Sequence, residues 1–172
     1  MKIRNDFVTN SSSSSFIVAF EKVPETKKEL SMMLFAGNNL KYGCFPYYDE
    51  VYSISEVSER VLYDMQNQQA KTEAELVEEI DGGSDDADKY TKLPAPKFPD
   101  FSVDEKKRDK DWKEYEKLST ARAKDIAKNF VAKNKGKSIF VFSYSDNDGP
   151  LSAAMEHAGI FSKLEHIRIS HH

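Results

Sequence analysis

Residues 138–172 read SIFVFSYSDNDGPLSAAMEHAGIFSKLEHIRISHH, and this stretch decides the fold that we predict. Its first part, 138–144, is β-branched and aromatic and ends in a turn cluster, which predicts a buried strand. Residues 166–170 alternate between polar and apolar, which predicts a half-buried strand. Between them, Pro150 begins a short helix that Gly159 ends. A strand, a helix and a strand with short connections most often form a right-handed parallel unit.

Polar residues follow both predicted strands. In such a unit the two strands end at one edge of the sheet, so Asp146, Asp148, Ser170, His171 and His172 are expected to share that edge. Carboxylates and imidazoles are common ligands of zinc and manganese. The two aspartates and two histidines are therefore candidate ligands of a divalent metal. The alternative is that the acidic turn only caps the following helix.

Two familiar uses of an acidic turn are excluded by its neighbours. Aligned on Gly149, a calcium-binding EF-hand loop would have Tyr144 at its first position and Met155 at its twelfth, and neither carries a carboxylate. A phosphatase with an aspartyl nucleophile has a hydroxyl residue at the position that Pro150 occupies here. Its fold also requires more residues after this turn than the 22 that follow Pro150. No Ser/His/Asp signature or phosphate-binding glycine loop is present either. The sequence thus favours a protein that is not an enzyme.

The other predicted elements complete a single α/β domain over residues 1–172. The run FIVAF at 16–20 is apolar on both faces and predicts a central strand. The serines at 11–15 before it are expected to form a flexible polar lead-in. We predict a small mixed or parallel sheet with strands near residues 15–22, 138–144 and 166–170. We expect covering helices near residues 24–36 and 150–158.

Residues 53–135 are predicted to form a mainly helical insertion. Three pairs of residues have the spacing of capping boxes: Ser53 with Glu56, Thr72 with Glu75, and Ser102 with Glu105. They predict helices near residues 55–68, 72–81 and 103–134. The first two helices are expected to form an αα-hairpin. Residues 82–101, which contain three prolines, are predicted to be an internal linker before the long helix.

Two groups of residues are candidates for binding a partner. Tyr42, Tyr47 and Tyr48 belong to an aromatic, turn-rich stretch that would suit a stacking platform or a protein interface. The alternative is a loop that packs on its own rings. Arg168 and Ser170 lie on the polar face of the last predicted strand and are further binding candidates.

The C-terminal part of the long helix, 113–137, is basic. Between residues 104 and 137 basic residues outnumber acidic ones by 12 to 7. A helix of this kind can lie along nucleic-acid phosphates, although lysine and glutamate at i, i+4 also simply support an exposed helix. The basic helix could instead pair with the acidic stretch 73–88. The cations that would contact phosphate are Arg122, Lys124, Lys128, Lys133, Lys135 and Lys137.

The composition limits the class of protein. The chain has 25 Lys and Arg against 29 Asp and Glu, a formal net charge of −4, which disfavours a dedicated nucleic-acid coat. The single cysteine, Cys44, excludes an internal disulfide framework and indicates a reducing compartment. No membrane span or secretory signal is recognisable. We expect a cytoplasmic protein that does not bind a membrane.

The two ends of the chain carry a resemblance. KIRNDFVTNSSSSSFIV at 2–18, YSDNDGPLSAAMEHAGIF at 144–161 and HIRISHH at 166–172 resemble a group of uncharacterised bacterial and phage proteins with similar segments at both ends. The resemblance implies a bacterial or phage origin and a native HisHis at the C-terminus. It carries over no reaction, cofactor or site residue.

Three functional hypotheses follow from these patterns. The leading one is a small cytosolic interaction or regulatory protein without catalysis, which binds a protein partner. The second is a metal-dependent hydrolase or nuclease that uses Asp146 and Asp148 with the C-terminal histidines. This alternative requires a divalent metal, and the sequence predicts no other cofactor. The third is nucleic-acid binding through the basic helix 113–137. The patterns do not indicate an oligomeric state.

Overall fold

The computed structural model describes residues 13–35, 44–47, 50–80, 85–102 and 104–171. Short 3-10 helices at Asp85–Tyr90 and Asp146–Asp148 add to the regular elements. In chain order the strands and α-helices are β1 (Ser13–Phe20), α1 (Lys27–Phe35), β2 (Cys44–Tyr47), β3 (Glu50–Ser53), α2 (Ile54–Gln66), α3 (Glu73–Glu79), α4 (Glu105–Lys133), β4 (Ser138–Ser145), α5 (Pro150–His157) and β5 (Glu165–His171).

The main sheet has three strands in the order β4-β1-β5, and β2 pairs with β3 in a separate ribbon. β1 is antiparallel to both of its neighbours. The predicted α/β class and the central position of the FIVAF run are confirmed. The expectation of mixed or parallel pairing is wrong, because β1 lies between β4 and β5. These two strands still run in the same direction, so their carboxyl ends do lie at one edge.

Helices cover both faces of this sheet because the side chains of β1 alternate between two apolar layers. Phe16, Val18 and Phe20 pack with α1, α2 and α5. Ile17 and Ala19 pack with α3, α4 and the 3-10 helix Asp85–Tyr90. Both layers contain fully buried side chains. The domain is therefore a three-layer α/β/α structure with its core on either side of β1.

The predicted αα-hairpin is wrong, because α2 and α3 lie on opposite faces of the sheet. The connection between them crosses the sheet at the outer edge of β4. There the Lys71 amide donates to the Ile139 carbonyl at 2.7 Å, and the Val141 amide donates to Gln68 Oε1 at 3.3 Å. These bonds occupy backbone groups that an edge strand would otherwise expose. The crossing thus protects the edge of the sheet.

Two of the three predicted capping boxes are confirmed, at Ser53 for α2 and at Thr72 for α3. The third is wrong: Asp104 caps α4 by accepting from the Lys107 amide at 3.1 Å. Ser102 instead donates its amide to Asp100 in a local turn. Asp104 has the advantage of a charged acceptor at the helix N-terminus.

The long predicted helix is confirmed as α4, with 29 residues. Its buried residues begin only at Arg122, and none of residues 105–121 is buried. About half of the helix therefore extends past the sheet. Within the described segments, no helix has the length and apolarity needed to cross a membrane.

Candidate functional site

The acidic turn lies where β4 ends. Asp146–Asp148 form a 3-10 helix, and the Asn147 amide donates to Ser145 Oγ at 3.1 Å. Gly149, with φ of 95°, is the N-cap of α5, and Pro150 follows it as predicted. Both aspartates are exposed to solvent. Their carboxylates precede the helix N-terminus, where negative charge is favourable.

The metal site stays a prediction. Ser145 and His171 pair with Ser13 from opposite sides, so about two strand spacings, roughly 10 Å, separate the two chains there. The side chain of His171 and the whole of His172 lie outside the described residues. Among the residues that are described, no three His, Cys, Asp or Glu side chains are grouped so that they could hold a metal ion.

A buried polar network lies beneath this edge, on the α5 side of the sheet. Ser14 Oγ donates to Glu156 Oε1 at 3.1 Å and accepts from Arg168 Nε at 3.2 Å and Nη2 at 3.1 Å. Ser14 and Glu156 are completely buried. The Arg168 guanidinium also lies over the Phe16 ring, 5.8 Å from its centroid. The network joins β1, α5 and β5.

This network changes the interpretation of three sequence features. Residues 13–15 of the serine run belong to β1, so the expectation of a flexible lead-in is wrong for them. Arg168, a predicted binding residue, is held against Ser14 inside the fold. Ser170, the second predicted binding residue on β5, is exposed and pairs in register with Ser14. No local pattern marks Ser14 as buried, because its partners are far away in the chain.

The predicted tyrosine surface falls largely outside the described part of the chain. Tyr42 and Tyr48 are not described, and Tyr47 is described only through its backbone, which pairs with Glu50 in the β2–β3 ribbon. The role of these three rings therefore stays a prediction.

Three of the six cations predicted to contact phosphate are engaged within the protein. Arg122 is 2% exposed and donates to the Asp88 carboxylate and to the Leu93 carbonyl. Lys133 binds Glu165 at 3.0 Å, and Lys137 approaches Glu21 at 3.7 Å. The Arg122–Asp88 pair confirms, at one point, the expected pairing between the basic helix and the acidic stretch.

Glu165, at the start of β5, is the centre of a second polar cluster. Its carboxylate accepts from the Tyr90 hydroxyl, from Lys133 at 3.0 Å and from Lys89 at 3.2 Å. The Tyr90 hydrogen bond and the two ammonium groups lower the pKa of Glu165 from 4.5 to about 2. Burial, with the adjacent carboxylate, raises the pKa of Tyr90. The cluster ties the 3-10 helix Asp85–Tyr90 to β5 and α4.

An aromatic cluster lies on the extending half of α4. The Phe98 ring centroid is 5.2 Å from those of both Trp112 and Tyr115, and 6.1 Å from that of Phe101. Phe98 is 63% exposed and Phe101 62% exposed. The prediction that residues 82–101 form a linker did not anticipate that these two phenylalanines pack against α4. Two aromatic residues beside three prolines are the signal that would have indicated a packed segment.

A groove runs between this proline-rich segment and α4, with a volume of about 470 Å³. We call it the aromatic groove. Its apolar lining comes from three prolines, Ala95, Phe98, Tyr115 and Leu118. Its charged lining comes from Asp100, Asp111 and Glu114 against Lys97 alone, so its charge is acidic.

Comparison of the chain with protein-family models, curated proteins and solved structures gives no match. Two candidate binding surfaces lie along α4. One is the aromatic groove, and the other is the solvent-facing side of the helix with its lysines.

Proposed function

We propose that this protein is a non-catalytic interaction protein, which binds a segment of a protein partner in the aromatic groove. The observation that carries the proposal is the exposure of Phe98 and Phe101, which precede α4 and lie against Trp112 in the half of that helix that contains no buried residue. Grouped exposed rings are characteristic of protein interfaces, where aromatic residues are enriched.

Burial of the exposed phenylalanine rings by a partner would contribute to the free energy of binding. Phe98 contacts Phe101, Trp112 and Tyr115, but about 60% of its surface faces solvent. Full burial of a phenylalanine side chain stabilises by about 1.5–3 kcal/mol. A ligand that covers both phenylalanines therefore gains several kcal/mol before the costs of association.

The charges around the groove define the chemistry of the partner. Asp100, Asp111 and Glu114 face Lys97 alone, so the groove has an excess of two negative charges. A complementary ligand carries an apolar anchor, aromatic or branched, with lysine or arginine beside it. Complementary charge favours the encounter and the orientation of such a ligand more than its final affinity.

The groove is held in place by contacts at its base. Arg122 donates to the Leu93 carbonyl, Thr91 Oγ1 donates to Asp125 at 2.6 Å, and Asn129 donates to the Tyr90 carbonyl at 2.7 Å. These bonds attach the chain just before the prolines to the buried part of α4. The prolines then restrict the backbone of the segment that follows. Such preorganisation reduces the entropic cost of binding.

A display selection from a random peptide library tests the proposal. We expect enrichment of peptides with an apolar anchor next to basic residues, and at least a tenfold loss of affinity in Phe98→Ala. The matched control is Tyr63→Ala, because Tyr63 is also 63% exposed but lies on α2. Peptides that bind Phe98→Ala as well as wild type, or no enrichment at all, would contradict the proposal.

Sedimentation of the purified protein distinguishes a separate partner from a second copy of this chain. A dimer that Phe98→Ala and Phe101→Ala abolish, and that Tyr63→Ala preserves, would assign the groove to self-association. That result would replace the partner proposed here. A wild-type monomer at concentrations where it binds the selected peptides supports the proposal.

A further inference from the structure

One side of α4 carries a line of lysines. At 3.6 residues per turn, six of them fall within an arc of about 60° on the side of the helix opposite its buried residues. We call this side the lysine face. Its members are Lys106, Lys110, Lys113, Lys117, Lys124 and Lys128. From first to last they span about 33 Å at 1.5 Å per residue.

These lysines face solvent, and nearly all of their charge is available. All six are exposed. In the part of the chain that the structure describes, Lys110 is the one member with a carboxylate within 4 Å, Glu114 at 3.9 Å. Pairs of this kind on an exposed helix are weak. The lysine face therefore differs from the basic set predicted from sequence, of which Arg122, Lys133 and Lys137 are engaged elsewhere.

The line is interrupted at one turn by two small residues. Thr120 and Ala121 lie between Lys117 and Lys124 and open a shallow depression of about 520 Å³. Its lining also includes Lys113 and Glu116, so three ammonium groups surround it against one carboxylate. An anionic group in this depression can approach the helix closely while lysines reach it from both sides.

We propose that the lysine face binds the sugar-phosphate backbone of a nucleic-acid duplex, which runs along α4 and comes closest to the helix at the depression beside Thr120 and Ala121. A straight, narrow line of cations matches a linear polyanion. No aromatic ring lies on this face between residues 106 and 128, a stretch described throughout, so the stacking platform that single strands require is missing there. A membrane-surface helix would place apolar side chains next to its lysines. In α4 the large apolar side chains lie elsewhere: Ile126 and Phe130 pack in the core, and Trp112 and Tyr115 contact Phe98.

This site is separate from the aromatic groove. Asp111, Tyr115 and Leu118 line the groove on the other side of the helix. The protein as a whole has a formal net charge of −4, so attraction to DNA has to come from a local surface. Binding through four to six phosphate contacts falls by roughly 10²- to 10³-fold between 50 and 200 mM salt.

Fluorescence anisotropy with a labelled DNA duplex of about 20 base pairs tests this site. We expect binding at 20 mM NaCl that weakens steeply with salt, and at least a tenfold loss at 50 mM in the triple variant Lys113→Gln, Lys117→Gln, Lys124→Gln. The matched control is Lys28→Gln, Lys92→Gln, Lys163→Gln, which removes the same charge from exposed positions elsewhere. Equal losses in the two triple variants, or no binding at 20 mM NaCl, would overturn the proposal.

A single substitution tests the point of closest approach. Ala121→Glu places a carboxylate in the depression and should reduce duplex affinity at least fivefold, whereas Ala74→Glu, at an exposed alanine on α3, should not. Circular dichroism verifies that both variants fold. Tight binding to phosphatidylserine vesicles without duplex binding would assign the face to membranes and overturn the proposal. We expect Phe98→Ala to bind the duplex as tightly as the wild type does. The test of the lysine face is then independent of whether the aromatic groove binds a partner.

Discussion

Ser14 Oγ donates a hydrogen bond of 3.1 Å to the Glu156 carboxylate, and both residues are completely buried. They are 142 positions apart in the chain. The same hydroxyl accepts from the Arg168 guanidinium, so it lies between a buried acid and a partly buried base. Buried charged groups are stable only when such partners surround them.

The first prediction concerns this hydroxyl. Ser14→Ala removes one acceptor for Arg168 and one donor to Glu156, so we expect a loss of about 1–3 kcal/mol in the free energy of unfolding. Urea denaturation measures this loss. Ser162→Ala, at an exposed serine, is the control and should change stability by less than about 0.5 kcal/mol. Equal stability of the two variants would show that the network contributes little.

The second prediction concerns pH and Glu165. Its pKa is lowered to about 2 in the folded protein, against 4.5 for an ordinary glutamate. The unfolded chain therefore binds this proton more readily, and the stabilisation is complete above pH 4.5 and is lost as the pH falls towards 2. Glu165→Gln should flatten the pH dependence of stability in this window.

Thermal unfolding between pH 2 and 6 measures the effect. Glu78→Gln removes the same charge at an exposed position on α3 and should retain the pH dependence of the wild type. If Glu165→Gln and the wild type lose stability in parallel below pH 4.5, the cluster of Tyr90, Lys89 and Lys133 does not act through the charge of Glu165.

The third prediction concerns Arg122, whose guanidinium holds the Leu93 carbonyl and Asp88. Arg122→Met keeps an apolar side chain in the buried position but removes both attachments. We expect the segment after Leu93 to loosen, so that trypsin cleaves after Lys97 several times faster than in the wild type. Lys124→Met, at an exposed position on the same helix, is the control. Similar cleavage rates in all three proteins would mean that other contacts hold the segment.

The fourth prediction uses Trp112, the single tryptophan of the chain. Its ring lies 5.2 Å from that of Phe98 and 6.5 Å from that of Phe101. Phe98→Ala should therefore shift the tryptophan emission to longer wavelength, while the free energy of unfolding changes by less than about 1 kcal/mol. Phe130→Ala, at a fully buried ring, should cost about 3–5 kcal/mol instead. A large loss of stability in Phe98→Ala would indicate that the ring is structural.

Several elements could be predicted because their causes are local. The apolar run at 16–20, the alternation at 166–170 and the capping boxes at Ser53 and Thr72 each depend on residues a few positions apart. Strand pairing has no such local cause. A run that is apolar on both faces is compatible with any central position. The rule that a strand, a helix and a strand form a parallel unit favoured pairing of β4 with β5, whereas β1 lies between them.

The candidate sites likewise combine features visible in the sequence with features that depend on tertiary contacts. The basic character of α4 was visible in the sequence, but only burial shows which cations remain available: Arg122 is enclosed, whereas Lys113, Lys117 and Lys124 are exposed. The aromatic groove could not be predicted, because Phe98 meets Trp112 only after the proline-rich segment folds back along the helix.

The sequence by itself determined the secondary structure of the main strands, the long helix and the alternation of faces, since these follow from side-chain periodicity and end-capping over a few residues. Only the tertiary structure decided that β1 lies between β4 and β5, that Ser14 meets Glu156, and that α4 extends past the sheet. Each of these depends on contacts between segments that are distant in the chain. Such contacts stabilise the protein only after both segments have folded.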